Sequence, residues 1–351
     1  MSPGPSRPEM RSKRLPHPFR GETEARWQVE RWRPRELVFS RRMIAKEYAS
    51  KPWILSLYRG LLPSRGKDRV RSILDVGCGT GFFTRFISNQ VVAPLESPAT
   101  VVGVDLNRSL LEAARKQTLE AEVEPEYIQA SAYHLPFRSG SFDLVTCRTV
   151  LMHLSAPVEA LREMRLAAKV GGRVACEEPD YGMTGSYDPG DAPGFVEKER
   201  RVHDAQILGL SRMYGQDYEV GRKLPELLRS AGLRGIMLEG MFHGIIVPCD
   251  PRIKAASLEI RLEAELRYYS DEVHLDEYRK TLRAGGLLPG EIDGYLRVLR
   301  KRTRQRIRAL RESGGTKKDE DASFLAVPFI LAFGRKALDK GTVEDRRIPA
   351  R

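Results

Sequence analysis

Short apolar runs alternate with amphipathic stretches over the middle of the chain. Five runs rich in Val, Ile and Leu predict buried strands at residues 73–76, 101–105, 127–130, 142–146 and 173–177. Three stretches between them carry apolar residues at helical spacing and predict helices at residues 82–92, 110–120 and 158–169. Strands that alternate with helices indicate an α/β fold with a mostly parallel sheet and helices on both faces.

The flanking regions have a more helical pattern. Aromatic and apolar residues recur at helical intervals over 22–62, and 252–311 is almost entirely helical in pattern. Residues 236–247 and 324–333 predict the last two strands. We therefore expect five segments: a disordered basic tail (1–20), an N-terminal helical lid (21–66), an α/β core (67–250 and 322–338), a helical insertion before the last strand (251–321) and a C-terminal tail (339–351).

The chain is basic, and the excess charge is unevenly distributed. Its 351 residues include 59 Lys and Arg against 47 Asp and Glu, a formal charge of +12. Residues 297–311 hold eight Lys and Arg and no acid. Such a run can indicate nucleic acid or an acidic substrate. No RNA-binding signature accompanies it, so a solvated helix face is favoured and nucleic acid is not.

Apolar run length and cysteine spacing exclude other classes of protein. No run approaches the roughly 18 apolar residues that a membrane-spanning helix needs, so we expect no membrane span. The four cysteines fall singly in separate segments, which excludes a CxxC zinc ribbon and argues against a disulfide framework. We expect a cytoplasmic protein. The oligomeric state stays open.

A glycine-rich turn follows the first predicted strand in the sequence ILDVGCGTG. Glycines allow left-handed backbone and let a ligand approach the chain closely. A dinucleotide site requires GxGxxG, but here Phe82 occupies the third glycine position. The alternative pattern is GxGxG with an acid two residues before its first glycine, which Asp75 and Gly77 satisfy. Asp105, at the end of the second strand, can accept from both hydroxyls of a ribose.

Together these motifs resemble the Rossmann-like (class I) S-adenosylmethionine-dependent methyltransferases. The stretch ASAYHLPF followed by SFDLV resembles the "GDAxxLPF…SFDxV" pattern of the ubiquinone/menaquinone-biosynthesis-like (type 11) small-molecule branch. The resemblance covers about residues 71–180. It implies a seven-stranded, mostly parallel sheet, S-adenosyl-L-methionine as cofactor, no metal and a small-molecule methyl acceptor.

The resemblance also implies the cofactor-binding residues. Leu106 would lie against the adenine ring, and Ser131 stands where the family usually has an Asp that receives the adenine amine. The N–H of Ala132 would meet a ring nitrogen. The expected cofactor-binding set is Tyr48, Asp75, Gly77, Cys78, Gly79, Gly81, Asp105, Leu106, Ser131, Ala132 and Cys147.

The acceptor is expected beyond the carboxyl ends of the fourth and fifth strands. The candidate catalytic residues there are Arg148, His153, Glu178 and Tyr181. His153 is a general base or a histidine bonded to the backbone, and Arg148 is a substrate anchor or a partner in a salt bridge. Neighbouring acids after the fifth strand suggest a metal, but adjacent strand residues point to opposite faces, so no metal is expected.

Three functions are consistent with these residues. The first is methyl transfer to an O, N or C acceptor of a small molecule by in-line displacement, releasing S-adenosylhomocysteine. The second is methylation of RNA or protein, suggested by the basic charge. The third is a catalytically silent S-adenosylmethionine-binding subunit, which Ser131 leaves open. The motif set favours the first.

Overall fold

The structure is a computed structural model that describes residues 70–92, 99–118, 124–187, 194–247, 262–263, 266, 269–312 and 323–337. Its strands are β1 (Ser72–Val76), β2 (Thr100–Asp105), β3 (Glu126–Gln129), β4 (Phe142–Arg148), β5 (Ala168–Pro179), β6 (Gly185–Tyr187), β7 (Leu233–Val247) and β8 (Ser323–Lys336). Its α-helices are α1 (Phe82–Phe86), α2 (Arg108–Gln117), α3 (Pro157–Ala167), α4 (Phe195–Tyr214), α5 (Val220–Ser230), α6 (Glu272–Ala284) and α7 (Pro289–Glu312). The predicted lid, which includes Tyr48, and the two predicted tails lie outside the described residues.

The eight strands form one sheet in the order β3-β2-β1-β4-β5-β8-β6, with β7 pairing with β8. The neighbours from β3 to β5 are parallel, and β6 is antiparallel to β8. The predicted α/β class with a mostly parallel sheet is confirmed. The strand order reverses between β1 and β4, and ligands of such sheets bind at this switch point, outside the carboxyl ends of the strands.

Two details differ from the sequence prediction. The short strand β6, which lacks an apolar pattern, brings the strands to eight rather than seven. Helix α3 ends at Ala167, and β5 begins directly at Ala168 rather than after Gly171 and Gly172. The register explains this second difference: Ala168 pairs with Phe142, then the extra residues of β5 bulge before pairing resumes at Leu144.

The centre of the sheet is buried on both faces. All five residues of β1 are buried, as are the four central residues of β2. Strands whose consecutive residues are all buried are typical of a parallel sheet covered by helices on both sides. At the amino end, the Asp143 carboxylate accepts from the N–H groups of Arg71 (2.8 Å) and Ser72 (3.0 Å) and pairs with Lys169 at 2.7 Å. These bonds align β1 with β4.

The chain divides into two compact units. The first comprises residues 1–178, 222–239 and 330–351, and the second comprises 179–221 and 240–329. The second unit has its own helical core, formed by Val202, Ala205, Leu275, Tyr278, Leu282, Leu287, Ile292 and Leu296. The domain boundaries expected from the sequence stay predictions. None of the described helices combines the length and apolar character needed to cross a bilayer.

Candidate functional site

The glycine turn between β1 and α1 has left-handed backbone at all three glycines. The φ angles are 71° at Gly77, 55° at Gly79 and 70° at Gly81, values that favour glycine. The N–H groups of Gly77 and Cys78 both donate to the carbonyl of Val104, at 2.7 and 2.9 Å. The turn is therefore bonded to the end of β2 through its backbone.

Two side chains pack directly against this turn. A Cβ on Gly77 would overlap Cγ2 of Val150, and a Cβ on Gly81 would overlap the phenol of Tyr127. Close packing thus adds a second reason for glycine at both positions. Cys78, which was expected in the cofactor site, has its side chain in a buried cluster with Tyr127 and residues of α2. Only its backbone lines the turn.

Asp105 connects the end of β2 to the glycine turn. Its Oδ2 accepts from the N–H of Gly79 at 2.8 Å, and its Oδ1 accepts from the N–H of Asn107 at 2.8 Å. Asn107 in turn caps α2 by accepting from the N–H groups of Ser109 and Leu110. The half-buried Asp105 is thereby fixed in orientation.

The other expected cofactor residues lie along the same edge of the sheet. The carbonyl of Leu106 accepts from the amide of Gln129 at 3.0 Å, and the Ser131 hydroxyl accepts from the N–H of Tyr133 at 3.2 Å. Leu106, Ser131 and Ala132 are all partly exposed. Because β1, β2 and β3 are parallel and in register, their carboxyl ends bring these residues and the glycine turn to one edge.

Asp75 and Cys147 are expected cofactor residues with buried side chains. The Asp75 carboxylate accepts from the hydroxyl of Thr84 at 2.6 Å, which ties β1 to α1. Cys147 pairs in register with Val76 and is completely buried. Hydrogen bonding with Cys176, together with burial, raises the pKa of Cys147 well above its ordinary value, so its thiol is neutral. Their roles toward a cofactor stay predictions.

The turn after β4 has a strained backbone. Among the described residues, Thr149 is the one non-glycine residue with left-handed backbone, at φ 53°. Its N–H donates to the carbonyl of Glu177 at 2.9 Å, and its hydroxyl donates to the carbonyl of Arg148 at 2.7 Å. Strain of this kind persists where the surroundings impose it and is concentrated at functional sites.

Glu178 holds this turn from β5. Its Oε1 accepts from the N–H groups of Val150 and Leu151, both at 2.8 Å, and its Oε2 accepts from that of Met152 at 3.4 Å. The side chain is completely buried. Burial raises the pKa of Glu178 to about 7, while the backbone bonds lower it and Glu177 raises it further. The geometry is that of a residue that positions the turn.

The remaining catalytic candidates each have partners within their own unit. Arg148 pairs with Glu177 at 3.0 Å, with side chains 9% and 0% exposed, so it has the salt bridge that the sequence left as one alternative. His153 ends the turn, and its N–H donates to the carbonyl of Val150. Tyr181 belongs to the second unit, where its ring packs against His203 and Tyr218. Within the described residues no group of His, Cys, Asp or Glu is arranged to hold a metal.

Sequence reasoning missed several residues that shape this site. Thr149 carries no signal, because a β-branched residue is not expected in left-handed backbone. Val150 and Tyr127 read as ordinary apolar positions, and their contact with the glycine turn depends on the sheet. Glu178 is expected near the acceptor from its place after the fifth strand. Its hydrogen bonds to three backbone N–H groups could not be predicted, because those groups lie 26–28 residues earlier in the chain.

Comparison with known proteins identifies the same region of the chain. The family model described as "Methyltransferase domain" matches residues 74–176. A demethylmenaquinone methyltransferase of Lactococcus lactis is 32% identical over 182 residues, which are 49% of this chain and 69% of that protein. A ubiquinone biosynthesis O-methyltransferase of Vibrio parahaemolyticus is 33% identical over 105 residues, or 30% of this chain and 42% of that protein.

A solved structure of a putative methyltransferase from Bacillus halodurans also aligns with the chain. It has a TM-score of 0.44 and 17% identity, over 82% of this chain and 99% of that one. The Lactococcus relationship extends over more than two thirds of that enzyme. The chain therefore belongs to the Rossmann-like S-adenosylmethionine-dependent methyltransferases.

Proposed function

We propose that the chain transfers the methyl group of S-adenosylmethionine to a small-molecule acceptor, releasing S-adenosylhomocysteine. One observation carries the proposal: the Asp105 carboxylate, at the end of β2 and beside the switch point between β1 and β4, is oriented by Gly79 and Asn107. The bound cofactor supplies an electrophilic methyl group on a sulfonium. The chain must bind it, orient the acceptor and exclude water.

The residues at this edge fit the parts of the cofactor. Asp105 would accept the ribose hydroxyls, and the left-handed Gly79 would give the backbone room to approach the cofactor. Leu106 would cover the adenine, whose edge would meet Ser131 and the N–H of Ala132. A hydroxyl at position 131 can accept the adenine amine without supplying a charge.

The acceptor would lie at the turn after β4. The backbone of this turn consists of Thr149, which has a strained φ angle, and residues 150–152, whose N–H groups are bonded to Glu178. The turn ends at His153. A hydroxyl acceptor needs a base and an amine acceptor does not, so His153 would act only in the first case. Arg148 is already paired with the fully buried Glu177, which favours a positioning role over direct contact with a substrate.

The relatives support a small acceptor. Two of their names refer to quinones: one relative is a demethylmenaquinone methyltransferase and the other a ubiquinone biosynthesis O-methyltransferase. The chain spans 42% of the ubiquinone enzyme and 52% of a fission yeast methyltransferase that also matches. We infer a cytoplasmic setting, since the three cysteines in the described residues are buried free thiols.

Calorimetry with S-adenosylmethionine, S-adenosylhomocysteine and NAD tests the cofactor site. We expect both adenosyl compounds to bind and NAD not to bind. Asp105→Ala should weaken binding by about 1.5–3 kcal/mol, the scale of a hydrogen bond to a charged group. Asp143→Asn is the matched control, because Asp143 lies at the amino end of the sheet and should affect stability alone.

Turnover tests the reaction itself. Release of S-adenosylhomocysteine would be measured against a panel of phenols, amines and demethylated quinones, and ligands that co-purify with the chain would be identified by mass spectrometry. NAD binding without a response to either adenosyl compound would refute the cofactor assignment. Cofactor binding with no turnover on any acceptor class, including RNA and protein, would favour a silent binding subunit.

A further inference from the structure

A cleft lined with arginine side chains lies between α6 and α7. Its volume is about 430 Å³, and its lining residues are Arg279, Asp293, Leu296, Arg297, Arg300 and Arg304. Four guanidinium groups against one carboxylate give the lining a formal charge of +3. The cleft lies wholly within the second compact unit. None of its lining residues is among those expected to bind the cofactor.

Helical spacing aligns three of these arginines. Arg297, Arg300 and Arg304 are three and four residues apart, so they lie on one face of α7. They span about 10 Å along the helix. Leu296, next to this face, is buried in the helical core of the unit and fixes the rotation of α7. The arginine row therefore has a defined direction.

The partners of the lining residues show where positive charge remains. Arg279 donates to Oδ1 of Asp293 through Nε (3.2 Å) and Nη2 (3.0 Å), which engages the acid of the cleft. Arg300 donates through Nε to the carbonyl of Tyr269 at 2.5 Å, which holds its side chain partly buried. Within the described part of the chain, Arg297 and Arg304 have no acidic partner and no hydrogen bond.

Three other basic residues of the same run have acidic partners. Arg302 faces Glu199 at 3.5 Å, Arg308 pairs with Glu312 at 2.6 Å and Arg311 pairs with Glu263 at 2.6 Å. Positive charge is therefore less compensated at Arg297 and Arg304, which line the cleft, than at these three positions. A concave site with local charge suits a compact anion better than a long polyanion.

We propose that this cleft binds a small ligand that carries a diphosphate or two neighbouring phosphate groups. The planar guanidinium group binds phosphate oxygens in pairs. Arg297 and Arg304, which have no acidic partner among the described residues, line the cleft together with Arg279 and Arg300, whose side chains are held by Asp293 and by the carbonyl of Tyr269. The volume is in the range of sites for small molecules. A lining charge of +3 matches a diphosphate better than a single carboxylate.

Calorimetry of the full chain with inorganic pyrophosphate tests the site at constant ionic strength. We expect one binding event per chain, at least ten-fold tighter than that of inorganic phosphate. The double variant Arg297→Gln/Arg304→Gln should weaken it at least ten-fold. Arg308→Gln, on the same helix but paired with Glu312, is the matched control and should change the affinity less than two-fold.

Further measurements separate this site from a polyanion surface and from the methyl-transfer site. Circular dichroism should show both variants folded, and their affinity for S-adenosylhomocysteine should equal that of the wild type. The proposal is overturned if pyrophosphate does not bind, or if it binds the double variant as tightly as the wild type. Arginine-dependent binding of single-stranded RNA or phosphatidylglycerol vesicles without binding of pyrophosphate would also overturn it.

Discussion

Glu178 shows how one buried carboxylate can hold a whole turn of the backbone in place. It supplies acceptors for three consecutive N–H groups of the turn after β4, and Val150 of that turn packs against Gly77. A side chain on β5 thus connects the proposed acceptor region to the cofactor loop. Because the pKa of Glu178 is raised to about 7, the carboxyl group that makes this connection titrates near neutral pH.

The stability of the chain should therefore depend on Glu178 between pH 4.5 and about 7. In that range the folded state holds a proton on Glu178 that the unfolded state has lost, so its contribution falls as the pH rises. A pKa raised from 4.5 to about 7 corresponds to about 3 kcal/mol over the whole range. Glu178→Gln removes the titration, and denaturant unfolding at several pH values measures it.

The difference between wild type and Glu178→Gln at each pH is the decisive quantity, because it cancels the contributions of all other groups. It should shift in favour of Gln as the pH rises through the window. Parallel curves would mean that Glu178 does not titrate there. Glu112→Gln, at an exposed i,i+4 ion pair, is the control for the same substitution at the surface.

Among the elements, the glycine turn is the one most tightly constrained by its neighbours. Its three left-handed glycines follow a fully buried strand, and its outer surfaces meet Val150 of one neighbouring strand end and Tyr127 of another strand. The turn therefore depends on both the local backbone and the sheet around it. Gly171 provides a comparison for the effect of the local backbone alone, because its φ is 78° and no atom lies within 4 Å of the position that a Cβ would occupy.

Gly77→Ala and Gly171→Ala should thus have different consequences. Both carry the cost of left-handed backbone, about 1–2 kcal/mol. Gly77→Ala adds overlap with Val150, worth about 1–3 kcal/mol, and should also impair cofactor binding. Thermal unfolding and calorimetry measure the two effects. Gly77→Ala combined with Val150→Ala should recover part of the loss, and equal effects of the two single variants would contradict the packing argument.

In the whole molecule, β8 connects parts of the sheet that are distant in sequence. It lies between β5 and β6 and also pairs with β7. Near its end, the ammonium of Lys336 donates to the carbonyls of Leu166 and Ala168 at 3.2 and 2.9 Å, at the C-terminus of α3. The last described strand is thus integral to a sheet that begins near residue 72.

A chain that ends after residue 250 should therefore aggregate or lose cofactor binding. Removing β8 leaves β5, β6 and β7 without their shared partner and exposes unpaired strand edges. Solubility, gel filtration and cofactor calorimetry measure the outcome. A chain that ends after residue 338 keeps β8 and is the control. A soluble shorter chain with full cofactor affinity would mean that the last hundred residues form a separate domain.

Much of the fold could be predicted because its signals are local. The buried strands β1 and β2 each contain a short run of Val, Ile or Leu, and Asn107 caps α2 through bonds to residues two and three positions away. Gly79 and Asp105 could be paired in advance, since a glycine turn and a strand-end acid recur at one edge of a parallel sheet. For these features, sequence spacing and spatial neighbourhood coincide.

Tertiary structure decided the features whose partners are remote. The left-handed Thr149 is imposed by Glu177, 28 residues away, and Glu178 meets its backbone partners only after β4 and β5 pair. The start of β5 at Ala168 depends on its register with β4. Likewise, the basic run of α7 indicated only a charged face. Which arginines line a cleft depended on how α6 and α7 pack, and the acidic partner of Arg302 comes from α4, about a hundred residues earlier in the chain.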